Sequence, residues 1–104
     1  MSVKLLNAVT AVGPGDPNKS NVPFDELVTF QAIITGAPTQ VNIDIEGSID
    51  GGANYETLLS HDITAEGNMF HLSGKPVTHI QADLKTLTGG TSPTVTLEMQ
   101  AGER

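Results

Sequence analysis

From Val41 to Ile49 apolar and polar residues alternate: Val41, Ile43, Ile45 and Ile49 fall on one parity, Asn42, Asp44, Glu46 and Ser48 on the other. A two-residue period marks a strand with one dry face and one wet face. The run enters Asp50-Gly51-Gly52, where Asp-Gly supplies the positive φ of a tight hairpin turn, and Tyr55-Glu56-Thr57-Leu58-Leu59 returns as the partner strand. The same period recurs from Leu27 to Thr35, where Val28, Phe30, Ala32 and Ile34 share a face. It recurs again over Asn68 to Leu72 (Phe70, Leu72), Thr78 to Leu84 (Ile80, Ala82, Leu84) and Thr94 to Gln100 (Val95, Leu97, Met99).

Turn chemistry separates these runs. Gly13-Pro14-Gly15-Asp16-Pro17-Asn18 can continue neither a ladder nor a helix, and Gly36-Ala37-Pro38 and Thr88-Gly89-Gly90-Thr91-Ser92-Pro93 act likewise. No segment keeps helical spacing for three turns; Phe24 to Leu27 and Thr64 to Gly67 have room for a single turn. Seven or so short strands between such turns predict an all-β fold, an antiparallel β-sandwich that is jelly-roll-like or immunoglobulin-like. The predicted core is Val28, Phe30, Ile34, Val41, Ile43, Ile45, Phe70, Leu72, Ile80, Leu84, Val95 and Leu97. With 104 residues the chain is expected to form one domain, 1–104.

The amino end departs from the alternation. Val3, Leu5, Leu6, Ala8, Val9, Ala11 and Val12 occupy both parities, so a strand there would be dry on both faces. Either it lies centrally in the sandwich, or its second face meets another chain. Residues 1–21 are therefore an expected interface strand and loop, with Val3, Leu5, Leu6, Val9, Val12, Pro14 and Pro17 as candidate partner contacts.

Composition narrows the functional classes. There is no cysteine, which removes disulfides, thiolate metal sites and cysteine nucleophiles. Neither a signal peptide nor a membrane span is expected. Twelve acidic against five basic residues give a net charge of -7, and Lys4, Lys19, Lys75, Lys85 and Arg104 stand singly, so neither nucleic acid nor a membrane is expected as a partner. The aromatics are Phe24, Phe30, Tyr55 and Phe70, with no Trp, a poor supply of platforms for stacking bases or sugar rings.

Candidate chemistry is sparse. Asn42, Asp44, Glu46 and Ser48, with Asp50, Asn54 and Asp62 near the turn, offer oxygens to calcium. A flat strand face, however, spreads its groups along a line, whereas calcium gathers six to eight oxygens at about 2.4 Å; a solvated outer face is the expectation. His61, His71 and His79 fall on different predicted strands and match no compact zinc spacing. Gly51-Gly52 and Gly89-Gly90 lack the strand-to-helix context of a phosphate loop. No catalytic residue, metal site or cofactor is expected, and the chain is not expected to be an enzyme.

Four stretches carry a resemblance: Ile45-Glu46-Gly47-Ser48-Ile49-Asp50-Gly51 followed by Tyr55-Glu56-Thr57-Leu58; Met69-Phe70-His71; Lys75-Pro76-Val77-Thr78-His79-Ile80-Gln81-Ala82-Asp83-Leu84; and Thr88-Gly89-Gly90-Thr91-Ser92-Pro93-Thr94-Val95-Thr96. In this pattern, which spans the last two-thirds of the chain, the protein resembles small virion proteins of tailed bacteriophages. The resemblance implies a structural protein of the particle: a capsid decoration (cement) protein on the virion surface, made in the host cytoplasm. It would bind the major capsid protein and copies of itself, with a homotrimer favoured. A small phage tail protein is the neighbouring alternative. Ser-x-Asp-Gly hairpins also occur in discoidin-like sandwich modules, so a carbohydrate-binding module is the rival class.

Overall fold

The computed structural model describes residues 3–15, 18–19, 28–72, 77 and 79–101. Its strands are β1 (Val3–Val9), β2 (Gly13–Pro14), β3 (Asn18–Lys19), β4 (Val28–Thr35), β5 (Gln40–Ser48), β6 (Glu56–Asp62), β7 (Met69–Leu72), β8 (His79–Thr88) and β9 (Thr94–Ala101). One helical turn, α1 (Ile63–Glu66), joins β6 to β7. All pairings are antiparallel. One sheet runs β1-β9-β4-β7 and the other β2-β8-β5-β6, with β3 also pairing β8.

Because β2 and β3 lie on the same strand, they act as one edge strand interrupted between Pro14 and Asn18. Eight strands then pair as nested hairpins: first with last (β1·β9), second with seventh (β2/β3·β8), third with sixth (β4·β7) and fourth with fifth (β5·β6). A long hairpin rolled in this way is the jelly roll, which decides between the two sandwich topologies the alternation allowed.

The core forms where the dry parities of the two sheets meet. Val28, Phe30, Val41, Ile43, Ile45, Ile80, Leu84, Val95 and Leu97 are all at most 1% exposed, with Phe70 and Leu72 closing the β7 edge; Ile34 is only partly covered. Phe30 stacks on Phe70 at 4.9 Å between ring centroids.

Three expectations are corrected. Ile49 is 77% exposed, because β5 ends at Ser48 and the alternation has no sheet to act on beyond it. The β5–β6 connection is a loop over residues 49–55 and not a two-residue turn, with Gly51 and Gly52 at φ +79° and +88°. The amino-terminal strand is not central: β1 is a sheet edge. Its double-parity apolar character comes from bulging. Lys4 pairs with Glu98 but Leu6 with Leu97, so Leu5 is an extra residue, and Leu5 and Leu6 both turn inward at 1% and 2% exposure. The same device explains Leu58-Leu59, where Ile45 pairs with Leu59 and Glu46 with Thr57.

Candidate functional site

The wet side of β5 faces outward on the β2-β8-β5-β6 sheet, and its acids meet neighbours on β8. Asp44 lies opposite Asp83 of β8, a like-charge pair that a cross-strand register makes unfavourable. Lys85 sits beside it, Nζ 2.9 Å from Asp83 Oδ2. The Asp83 carboxylate, helped by Glu46 and Asp44, pushes the Lys85 ammonium upward from its ordinary value. Glu46 Oε1 accepts from Gln81 Nε2 at 2.7 Å. Asp62 caps α1, accepting from the backbone N–H of Thr64 and Ala65, while Glu66 Oε2 accepts from Asp62 N at 2.9 Å. The Thr64 hydroxyl and these N–H groups hold the Asp62 carboxyl below the usual range. Among the described residues no three His, Cys, Asp or Glu side chains converge on a metal-sized site.

The β5–β6 loop is cross-braced. Ser48, 3% exposed, donates from Oγ to Asp50 Oδ1 at 2.6 Å and accepts from Gly52 N at 3.0 Å. Asp50 also accepts from Asn54 N and Asn54 Nδ2 at 3.0 and 2.7 Å. Donors from Ser48 and Asn54 hold the Asp50 carboxyl far below the carboxylate range. Burial, with the Asp50 and Glu46 charges nearby, pushes the Tyr55 phenol up. His79 lies opposite Ser48 in register. A serine, an aspartate and a histidine therefore share one corner, yet the Ser48 hydroxyl donates to the carboxylate. That geometry fixes the loop.

The three histidines go to three places. His61 is inside, stacked on Phe70 at 4.0 Å, and its Nε2 lies 2.8 Å from the Gly67 carbonyl, so Nε2 carries the proton. Its Nδ1 is 3.8 Å from Glu66 Oε2. His71 points out of the other sheet, Nδ1 3.1 Å from Thr29 Oγ1, and His79 lies at the far end of β8.

The candidate partner contacts divide. Leu5 and Leu6 belong to the protein's own core, which removes them from any outer surface. Val9 is half-buried; Val12, at 57% exposed, and Pro14 remain outside. The Val3 side chain and Pro17 lie outside the described residues.

The outward face of the β1-β9-β4-β7 sheet is a surface that alternation alone did not single out. It presents Thr29, Gln31, Ile33 and Thr35 from β4, beside Thr94, Thr96, Glu98 and Gln100 from β9. Thr29, Gln31, Met69, Glu98 and Gln100 line a shallow trough of about 370 Å³. Of the eight acids among the described residues, only Glu98 is here, opposite Lys4 in register. The signal was present in the wet parities: β5 and β8 carry Asp44, Glu46 and Asp83, while β4 carries no acid and β9 only Glu98.

No protein-family model matches the chain, and no curated protein matches it. Among solved structures it is similar to the crystal structure of SPBc2 prophage-derived protein YomS, with a TM-score of 0.65 and 14% identity. The match covers 95% of this chain and 88% of that one. At that identity the likeness is one of fold.

Proposed function

We propose that the protein is a non-enzymatic structural component of a tailed-phage particle, a capsid decoration protein that binds and stabilises the shell. The observation that carries this reading is a jelly roll matched along almost its whole length in a prophage-derived protein. Fold alone assigns no function. The surface adds support: Ser48 and Asp50 brace the β5–β6 loop, Glu46 is bonded to Gln81, and Asp83 is paired with Lys85. The shell contact proposed here is the exposed apolar remnant of the amino-terminal segment, Val12 and Pro14, where the chain passes from β1 in one sheet to β2 in the other.

The rival sugar-binding reading needs an aromatic platform. Phe30 and Phe70 are interior, and Tyr55 is half-buried, so among the described residues Phe, Tyr and Trp offer no fully exposed ring. The test is to prepare shells lacking the protein, add it back, and measure occupancy by electron microscopy and resistance to heat. The reading predicts saturable occupancy and a higher disruption temperature, both reduced by Val12→Asp. Failure to bind shells together with selective capture on a glycan array would replace it with the sugar-binding reading.

A further inference from the structure

We infer that the outward face of the β1-β9-β4-β7 sheet is the contact surface for a second copy of this chain, the two copies being related by a two-fold axis. The inference does not rest on the virion reading, because it follows from how charge is divided between the two sheets.

Seven of the eight described acids lie on the β2-β8-β5-β6 sheet, its hairpin loop or α1; the opposite face carries Glu98 and Lys4, which oppose one another in register. A protein of net charge -7 meets its own copy against a repulsive field, and among the described residues the one broad face without net charge is where that repulsion is least. Packing these faces together puts both acidic sheets on the outside. With sheets stacked at about 10 Å, the acidic surfaces end up roughly 30 Å apart. That is several Debye lengths at physiological salt, about 8 Å each.

The relief of the face suits such a pairing. Ile33, 48% exposed, stands toward one end of β4, and the trough bounded by Thr29, Gln31, Met69, Glu98 and Gln100 lies toward the other. A two-fold axis between the copies, running across the strands, reverses top and bottom. Ile33 of each copy then meets the Gln31 region of its mate, and Glu98 meets the Thr96 hydroxyl in place of the other Glu98 carboxylate. An isologous contact requires this self-complementarity. Four strands, two of them eight residues long and one of four, span roughly 430 Å² in projection. That is below the ~800 Å² per partner of a stable interface, so the dimer is a weak, concentration-dependent one.

Sedimentation velocity of the full chain from about 10 μM to about 1 mM, a range that brackets weak association, tests this. The expected result is a monomer at the low end and a two-chain species at the high end, its share rising with salt as self-repulsion is screened. Ile33→Glu is expected to weaken association at least tenfold with an unchanged melting curve, because the side chain points outward. Gln31→Arg provides a second disruption if the first variant melts early. Asp44→Lys, on the opposite face, should not weaken association. A monomer at every concentration and salt, a three-chain species, or a dimer that survives both Ile33→Glu and Gln31→Arg would overturn the inference. Should the protein stay monomeric while Ile33→Glu abolishes binding to shells, the face belongs to a shell subunit and not to a second copy.

Discussion

Replacing Leu5 by alanine separates two incompatible accounts of the amino-terminal strand. If its apolar surplus serves a partner, Leu5→Ala leaves the isolated chain as stable as before and weakens only association. In the structure Leu5 is 1% exposed, turned inward by the bulge that pairs Leu6, and not Leu5, with Leu97. Losing three carbons from a buried site costs about 2.4 kcal/mol at ~0.8 kcal/mol per methylene. A residual hole of roughly 50 Å³ adds about 1.2 kcal/mol at ~24 cal/mol per Å³. Since β1 is an edge strand and can settle inward, the expected loss is about 2.5–4 kcal/mol, a large part of the ~5–15 kcal/mol available to a domain. Urea unfolding followed by far-ultraviolet circular dichroism reads this as a midpoint lowered by about 2 M, for a slope of ~1–2 kcal/mol/M. The shift should be the same at low and high protein concentration. A loss under about 1 kcal/mol, or one that grows with concentration, would refute the core assignment and restore Leu5 to an interface.

Phe30→Ala, which removes the fully buried ring that stacks on Phe70, is expected to cost about 3–5 kcal/mol, whereas Ile49→Ala at the exposed loop should stay within ~0.5 kcal/mol; thermal melts of the pair check both. Asp50 and Asp62 titrate below their ordinary range in the folded state, so their contribution is present above the unfolded carboxylate pKa of about 3.9 and lost as pH falls below it. Stability should therefore be level above about pH 5 and decline below about pH 4, and Asn54→Ala should make that acid decline shallower; an unchanged acid limb would show that the loop brace contributes nothing. Gly90→Ala should destabilise by roughly 1–3 kcal/mol, since its φ of +76° is strained for alanine and a Cβ there would strike the Gly36 carbonyl. Gly51→Ala, at a similar φ but facing open space, should cost less, and equal losses would refute the clash.

Much of the fold was legible in the chain because the two-residue period is a local property. Val28, Phe30, Ala32, Val41, Ile43, Ile45, Ile80, Ala82, Leu84, Val95 and Leu97 face inward as their parity requires, whatever their strands pair with. Parity misled at Ile49, where the strand ends, and at Leu5-Leu6, where a bulge adds a residue to one strand only. A bulge is a relation between two strands, and its sequence signature, two adjacent apolar residues, is shared by a two-sided interface. Leu58-Leu59 presented the same ambiguity.

By itself, then, the sequence determined that this is a disulfide-free β-protein with a net charge of -7 and wet faces of unequal acidity, because residue types and their spacing are enough for that. Only the tertiary structure decided that the strands nest as a jelly roll, since β1 meets β9 and β2/β3 meet β8 across most of the chain's length. The same long-range pairing gathered the acids of β5, β6 and β8 on one side and left Thr29, Gln31, Ile33 and Thr96 on the other. A surface is made of residues distant in sequence, and no local pattern records which strands will lie side by side.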